Sequence, residues 1–437
     1  MKTLIKNVHV LTMDDEETEY KHGFVLIDGE DIVEVGAMRA DLPVVDEVID
    51  GQDGILLPGF VNTHTHCGMI PFRSLGDDVP DRLRRFLFPL EAYMTRKLVH
   101  ASTAYAIGEM LLSGVTSFCD MYYFEDEVAR ACEEMGVRAV VGETIIDMET
   151  CDSKNTQESL SYCEAFLKKW KNHPLLTPAI APHAPNTNNA SDLKKIVALS
   201  QKYQAPITMH VEEMDYEMQE FAENYQQTPL AFLESLGYFE HRFIMAHCIH
   251  LNEADIKLLT QAPKHVSVAH CIGANTKSAK GVAPVKELLE QGVLVGLGTD
   301  GPSSGNTLDL FTQMRMVANF HKTKNHDRRA FPAKEIVKLA TKNGAKALGF
   351  SRVGTIEPNK KADLVLVETK SVNMFPIFDA YSALVYSANA SNVSAVWVNG
   401  RQLVKEKQLV HANLDELREK LYKEMDIFVK EAKKRTV

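Results

Sequence analysis

The sequence lacks the features that mark a secreted, membrane-embedded or disulfide-stabilised protein. Its seven cysteines are odd in number and include no Cys-x-x-Cys pair, which argues against a disulfide framework or a cysteine zinc site. The apolar runs, such as residues 293–298, have the length of a strand and are too short to span a bilayer. Residues 1–6 alternate charged and apolar side chains and lack the apolar core of a signal peptide. We therefore expect a cytoplasmic protein with no membrane partner.

Clustered positive charge is missing as well. The chain carries 48 Lys and Arg against 59 Asp and Glu, a formal net charge of −11. Binding to nucleic acid needs clustered Lys and Arg that neutralise phosphates, so we expect a small-molecule substrate and no nucleic-acid partner. The apolar fraction of 45% and the length of 437 residues are typical of a globular protein with one large core or two modest ones.

Two hairpin signals lie near the two ends of the chain. Asp28-Gly29 and Asn399-Gly400 each separate two short apolar runs, and such dipeptides favour tight two-residue turns between strands. Neither end alone has enough strands to close a core. We therefore predict that residues 1–57 and 351–437 meet in one small β-sandwich, with the middle of the chain inserted between them.

The middle of the chain, residues 58–350, alternates short apolar runs with segments of helical length. Near-continuous apolar runs are typical of parallel strands that are buried on both faces. Eight such strand–helix units predict an α/β fold of the (β/α)8 TIM-barrel type, with the chemistry at the C-terminal ends of the strands. The eight runs are residues 57–62, 116–120, 138–142, 176–181, 206–210, 243–247, 265–270 and 293–300.

Two helices are predicted in more detail. Residues 191–203 have apolar side chains spaced for one buried face, and Ser191 is the expected N-cap. At the C-terminus, apolar residues form a stripe along one face of an otherwise charged helix. Such a stripe favours either core packing or a subunit contact, and the second would make the protein a homo-oligomer. The stripe consists of Leu414, Leu417, Leu421, Met425 and Phe428.

Histidines and one aspartate fall at the ends of the predicted barrel strands. His64 and His66 end the first strand, and alternate residues of a strand point to the same side, so both imidazoles can converge on one ion. A single histidine is more often structural, but its recurrence at several strand ends indicates a site. The strand-end residues are His64, His66, His210, His247, His270 and Asp300.

Three histidines and a carboxylate are the donors that zinc prefers, with Fe²⁺ and Mn²⁺ as alternatives. Such an ion lowers the pKa of a bound water, so that hydroxide exists near neutral pH. Asp300 can bind the ion through one oxygen and take the proton of the water through the other. Glu213 follows His210 in the sequence and is placed to deliver a proton to the substrate.

Several motifs give the chain a resemblance to the amidohydrolase superfamily, and they extend over nearly its whole length. Within the superfamily the sequence is similar to the aminohydrolase branch that deaminates S-adenosylhomocysteine, methylthioadenosine and related aminated heterocycles. The motifs are Pro58-Gly59-Phe60-Val61-Asn62-Thr63-His64-Thr65-His66, His210-x-x-Glu213, Ala246-His247-Cys248, Gly298-Thr299-Asp300-Gly301 and Lys361-Ala362-Asp363-Leu364-Val365.

The resemblance implies a role for each residue of the site. Glu213 matches the proton shuttle, and His247 matches a histidine that hydrogen-bonds the attacking hydroxide. The end of the fourth strand, residues 181–183, has no lysine of the kind that binuclear relatives carbamylate, so the resemblance implies a single divalent metal ion. The residues that match its ligands are His64, His66, His210 and Asp300.

The residues expected to contact the substrate match the family pattern less completely than the metal ligands do. Glu91 matches an acid that holds ribose hydroxyls, and His183 and Ser304 match positions that touch the ligand. Arg138 is present, but Glu143 stands where relatives specific for S-adenosylhomocysteine place an arginine, and a substrate carboxylate facing Glu143 would be repelled. A loop tryptophan of the relatives is also missing, and Arg82 stands in its place.

These observations predict a metal-dependent hydrolase of carbon–nitrogen bonds. We expect it to deaminate an aminated purine with release of ammonia, in particular an adenosine derivative such as methylthioadenosine or S-adenosylhomocysteine. One alternative is a deaminase or dehalogenase of a free heterocycle such as guanine or a triazine, and Glu91 favours the nucleoside over it. A more remote alternative is a non-catalytic metal-binding scaffold.

Overall fold

Two eight-stranded sheets organise the chain. The computed structural model describes residues 1–435. The strands are β1 (Lys2–Leu11), β2 (Glu19–Asp28), β3 (Asp31–Ala37), β4 (Glu47–Pro58), β5 (Phe60–Thr65), β6 (Val115–Tyr122), β7 (Arg138–Ile145), β8 (Leu176–Pro182), β9 (Ile207–Val211), β10 (Phe243–His247), β11 (Val266–His270), β12 (Leu294–Leu297), β13 (Leu364–Val367), β14 (Val393–Val398), β15 (Arg401–Lys405) and β16 (Gln408–Leu409).

Helices follow most of the strands from β6 onward. The helices are α1 (Phe88–Glu91), α2 (Arg96–Leu112), α3 (Glu125–Met135), α4 (Thr156–Trp170), α5 (Ala190–Tyr203), α6 (Asp215–Tyr225), α7 (Pro229–Ser235), α8 (Glu253–Gln261), α9 (Ile272–Lys277), α10 (Val285–Glu290), α11 (Leu310–Lys324), α12 (Ala333–Ala340), α13 (Lys342–Leu348), α14 (Ala380–Ser382), α15 (Leu414–Glu424) and α16 (Asp426–Arg435). No helix of the described residues is long and apolar enough to cross a membrane.

The first sheet joins the two ends of the chain, as the hairpin signals predicted. Its strand order is β16-β15-β14-β13-β4-β1-β2-β3. The N-terminal and C-terminal strands meet where β13 pairs antiparallel with β4, in the register Leu364 to Pro58. Both predicted hairpins are confirmed, since β2 pairs antiparallel with β3 and β14 with β15. Both arms of the sheet contribute to one apolar cluster that includes Ile5, Leu56 and Trp397.

The turn of the second hairpin makes one glycine hard to replace. Gly400 has a φ of +76°, and a Cβ there would lie 2.0 Å from the carbonyl oxygen of Gly29. We expect Gly400→Ala to lower the free energy of unfolding by about 3 kcal/mol, because backbone strain and a clash add up. Gly29→Ala is the control, since Gly29 also has a positive φ, of +61°, but open space around it. Its expected loss is about 1–2 kcal/mol, and equal denaturation midpoints for the two variants would contradict the prediction.

The second sheet is the predicted TIM barrel. Its order, β12-β11-β10-β9-β8-β7-β6-β5, follows the sequence strand by strand, and the pairs from β7 to β12 are parallel. The last and first strands are linked where the amide of Asp300 donates to the carbonyl oxygen of His64 over 3.0 Å. This hydrogen bond brings the two ends of the barrel sequence to the place where the polar residues cluster.

The first barrel strand begins later than predicted. The apolar run of residues 57–62 is divided between two sheets, because Pro58 ends β4 and Phe60 begins β5. Gly59 separates them, and a Cβ at this position would lie 2.2 Å from the side chain of Thr116. Continuous hydrophobicity shows that residues are buried, but it does not show where a chain changes its hydrogen-bonding partner.

The cap of α5 was also predicted two residues too late. Asn189, not Ser191, is the N-cap, and its side chain accepts a hydrogen bond from the amide of Asp192. Asn and Ser are similar in capping strength, so the apolar spacing could not distinguish them. At the C-terminus the predicted apolar stripe is carried by two helices, and Phe428 of α16 packs against Phe72 with ring centroids 4.7 Å apart.

The chain divides into two compact units. One contains Met1–Asn62, Gly108–Ser117 and Asp309–Asn413, and the other contains Thr63–Ile107, Phe118–Leu308 and, of the described residues, 414–435. The division at residues 57/58 and 350/351 stays a prediction from the sequence.

Candidate metal and active site

Four of the predicted residues lie together at the C-terminal ends of barrel strands. His64 lies in β5 and His66 directly after it, whereas His210 lies in β9 and Asp300 shortly after β12. Nε2 of His66 is 3.1 Å from Oδ1 of Asp300 and 3.3 Å from Nε2 of His210. Nε2 of His64 is 3.8 Å from the same oxygen of Asp300. The structure thus brings together the four side chains that were expected to hold a metal ion.

The outer nitrogens of two of these histidines are already engaged. Nδ1 of His66 lies 2.5 Å from the carbonyl oxygen of Met121, and Nδ1 of His210 lies 2.7 Å from that of His183. A carbonyl oxygen can only accept, so each Nδ1 carries a proton and each Nε2 presents a lone pair in the neutral ring. The Nε2 atoms of the two rings face each other at 3.3 Å, an arrangement that a proton on one of them or a metal ion between them stabilises.

Burial and neighbouring charges set the protonation states of these groups. Burial, and then the charges of nearby imidazoles, hold the pKa of His64 and of His210 well below the ordinary value, so both rings are neutral donors. Burial opposes ionisation of Asp300, but the hydrogen bond and charge of His66 and the other histidines hold its pKa well below the usual range. The same pairing overcomes the effect of burial on His66 and raises its pKa to about 9.

These donors fit one divalent metal ion. Ligand atoms of His64, His66 and Asp300 lie within 4.8 Å of one another, and the same holds for His64, His210 and His247. Imidazole nitrogens with one carboxylate are the donor set of mononuclear catalytic zinc sites. Hydrogen bonds from the outer nitrogens to carbonyl oxygens are the usual support of such ligands, because they fix the ring and its tautomer.

The backbone around the site is strained. His247, Cys248, Asp300 and Glu212 all have a positive φ, of 73°, 49°, 58° and 50°, which costs about 1–3 kcal/mol at a residue other than glycine. Hydrogen bonds hold these turns, for example from the amide of Gly301 to Oδ1 of Asp300 over 2.7 Å. The backbone conformations that direct His247 and Asp300 into the cluster therefore lower the stability of the folded state.

A second group of polar side chains lies beside the metal cluster. Lys280 donates a hydrogen bond to Oε1 of Glu213, and Nε2 of His247 lies 3.6 Å from the same oxygen. Nδ1 of His247 is in turn 2.8 Å from Oδ1 of Asn275. Burial raises the pKa of Glu213, but the charges of His247 and Lys280 bring it below its ordinary value. Glu213 is therefore a carboxylate at neutral pH.

A cavity of about 810 Å³ opens above these residues. Three of the predicted substrate contacts, Glu91, His183 and Ser304, line it. Burial raises the pKa of Glu91 to about 7 and lowers that of His183 to about 4, so His183 is neutral near pH 7. The wall of the cavity also contains aromatic and sulfur-containing side chains: Met69, Phe88, Met121, Tyr122, Tyr123, Met214 and Tyr216.

Two predicted substrate contacts lie elsewhere. Among the described residues, Arg138 and Glu143 are absent from the cavity wall, and Arg138 begins β7 at the end of the strand far from the site. Glu143 is fully buried and accepts a hydrogen bond from the amide of Glu125. Burial, and then the neighbouring Asp152, raise its pKa well above the usual value. The expected repulsion between Glu143 and a substrate carboxylate therefore does not follow from the structure.

Of two cationic residues in the cavity wall, Arg82 was predicted from the sequence and Lys280 was not. Arg82 lines the cavity, but its guanidinium donates to the carbonyl oxygens of Phe72, Leu75 and Ser303, so it braces loops. Lys280 and its neighbour Asn275 were not predicted at all. Their contacts depend on how the segment after β11 folds back onto the end of β9, and no local pattern in the sequence reports that.

Comparison with known proteins agrees with this geometry. A model of the amidohydrolase family matches residues 55–403. The chain is 39% identical over 415 residues to a 5-methylthioadenosine/S-adenosylhomocysteine deaminase of Caldanaerobacter subterraneus subsp. tengcongensis, covering 94% of each chain. It is 38% identical over 414 residues to a 5'-deoxyadenosine deaminase of Methanococcoides burtonii, again with 94% of each covered. An adenosine deaminase of Xanthomonas campestris with bound zinc has a similar structure, with a TM-score of 0.94, 32% identity and 98% of each chain covered.

Proposed function

The chain belongs to the amidohydrolase family, and from this premise we propose that it hydrolyses the exocyclic amino group of an adenosine derivative and releases ammonia. It is a hydrolase of carbon–nitrogen bonds other than peptide bonds. Its cofactor is one divalent metal ion, and zinc is the ion that the donor set favours and that the Xanthomonas campestris relative holds. The residues that would hold it are His64, His66, His210 and Asp300.

The observation that carries the proposal is the position of the Glu213 carboxylate beside His247 and the metal cluster. Hydrolytic deamination adds the oxygen of water to a ring carbon, protonates a ring nitrogen and expels the amino group as ammonia. The reaction needs an activated water, a base and an acid within reach of one ring. When bound, the divalent ion lowers the pKa of a water molecule and stabilises negative charge on its oxygen.

The protein side chains then divide the proton transfers. The Glu213 carboxylate accepts a proton on one oxygen and delivers it to the ring nitrogen next to the carbon under attack. Nδ1 of His247 donates to Oδ1 of Asn275, which fixes the orientation of the ring. In the protonated ring, Nε2 of His247 then donates a hydrogen bond toward the incoming oxygen. The second oxygen of Asp300 takes the remaining proton of the water and passes it to the departing amino group. The net change is replacement of an amino group by a carbonyl oxygen, with ammonia as the second product.

The substrate class rests on Glu91 and on the named activities of the relatives. Those relatives are named deaminases of methylthioadenosine, S-adenosylhomocysteine, 5'-deoxyadenosine and adenosine, which share a ribose. Glu91 lines the cavity, and its carboxyl group, whose pKa is about 7, has two oxygens that can bind two neighbouring ribose hydroxyls. The net charge of −11 supports a small molecule over nucleic acid as the partner.

Ammonia release from a panel of compounds tests the proposal. The metal-loaded enzyme is expected to act on adenosine, methylthioadenosine and S-adenosylhomocysteine in preference to guanine, adenine and a triazine. Glu91→Ala should raise the KM of a nucleoside about tenfold or more, because hydrogen bonds to the ribose are lost, and should leave any activity on free adenine unchanged. Glu240→Ala, exposed and outside the cavity wall, is the matched control. Preference for a free heterocycle, or a nucleoside KM unaffected by Glu91→Ala, would overturn the ribose assignment.

A further inference from the structure

One short segment contacts both Glu213, the proposed proton shuttle, and His247, the proposed hydrogen-bond donor to the incoming oxygen. The segment runs from Asn275, in α9, to Lys280, just after that helix. Oδ1 of Asn275 lies 2.8 Å from Nδ1 of His247, and the ammonium of Lys280 donates to Oε1 of Glu213. Within the segment, the amide of Lys280 donates to the carbonyl oxygen of Asn275 over 3.1 Å. The backbone of one short segment therefore carries both contacts.

The ammonium group of Lys280 is better shielded from water than that of an exposed lysine such as Lys202. Its side chain is 27% exposed and that of Glu213 is 19% exposed, whereas the side chain of Lys202 in its pair with Glu164 is 62% exposed. Exposed pairs contribute little, because water screens them. Removing one partner of a pair shielded from water leaves the other charge uncompensated.

Two acidic residues of the cavity stabilise the positive charge of Lys280. Glu213 and Asp300 are both acidic, and each raises the pKa of Lys280 against the effect of burial, the largest single influence. Without the ammonium, two carboxylates would face the same cavity with less positive charge between them. The carboxylate of Glu213 could then turn away, toward solvent at the mouth of the cavity.

We propose that Lys280 is a positioning residue, whose ammonium holds the Glu213 carboxylate against His247 in the orientation needed for proton transfer. The inference rests on the proposed function, since it acts through the proton shuttle. Lys280 contacts the shuttle, and its proposed role is to orient that carboxylate and not to bind the substrate. Its loss is therefore expected to affect turnover more than substrate binding.

The test compares Lys280→Met with matched variants in the metal-loaded enzyme. We expect Lys280→Met to lower kcat about tenfold or more, with KM changed less than about twofold. Lys280→Arg, which keeps the charge, is expected to recover most of the lost turnover. Lys286→Met is the control, because Lys286 also pairs with a glutamate, Glu290, at 2.8 Å but lies outside the cavity wall.

A double-mutant cycle separates positioning from a merely structural role. If Lys280 acts through Glu213, adding Lys280→Met to Glu213→Gln should not lower kcat further. An equal loss of turnover in both backgrounds, or normal turnover in Lys280→Met, would overturn the inference. Lys280→Gln serves in place of Lys280→Met if the latter fails to fold, as judged by thermal unfolding. Absence of ammonia release by the wild-type enzyme would instead overturn the proposed function, so the two failures are distinguishable.

Discussion

Glu213→Gln is expected to keep about one metal ion per chain and to lower turnover by about 10²-fold or more. Glutamine has nearly the shape of glutamate and can still accept a hydrogen bond from Lys280, so the cavity should keep its form. It cannot take a proton and pass it on. Because Glu213 is absent from the groups of ligand atoms that lie within 4.8 Å of one another, its replacement should spare the metal cluster.

Two measurements check this result together. Elemental analysis gives the metal content, and single-turnover kinetics of ammonia release give the rate of the chemical step. Glu234→Gln, exposed on α7, is the control and should behave as wild type. Full metal content with normal turnover would remove Glu213 from proton transfer, and loss of the metal would show that it acts as a ligand.

His210→Ala is expected to weaken metal binding by about 10²-fold or more, and activity should fall with metal occupancy. The magnitude is a lower bound, since changes in residues that only support a ligand already cost about 10–100-fold. The variant should also unfold at lower temperature than the metal-loaded wild type, because an ion that binds only the folded state stabilises it. His22→Ala, whose side chain is 59% exposed, is the control. A variant that retains one tightly bound ion per chain would exclude His210 as a ligand.

The sequence predicted well wherever one local rule decided the outcome. Asn399-Gly400 specified a two-residue turn, and β14 and β15 form the hairpin around it. Apolar runs followed by a polar strand end located most barrel strands, and the histidines at those ends converge because parallel strands share one C-terminal edge. The strand ends alone grouped six residues, and the resemblance to the amidohydrolase superfamily selected four of them, His64, His66, His210 and Asp300, as metal ligands.

The sequence failed where the outcome depends on distant parts of the chain. The boundary between β4 and β5 is set by different hydrogen-bonding partners on either side of Gly59, not by a change in hydrophobicity. Glu143 matched an alignment position, but the packing of β7 buries it beside Asp152. Lys280 reaches Glu213 from 67 residues further along the chain. None of these relations has a short-range signal.

The hydrogen bonds that join the two ends of the barrel have a consequence for biosynthesis. The hydroxyl of Thr65 donates to the carbonyl oxygen of Asp300, 235 residues away, so the first and last strands meet at the metal cluster. Contacts of such long sequence separation form late, because closing a long loop costs entropy before any contact compensates for it. A nascent chain that has made only its first seven barrel strands lacks Asp300 and therefore the carboxylate of the donor set. With Asp300 as the proposed carboxylate ligand, the complete donor set is expected only after the last strand has joined the barrel, and a bound ion would then oppose separation of β12 from β5.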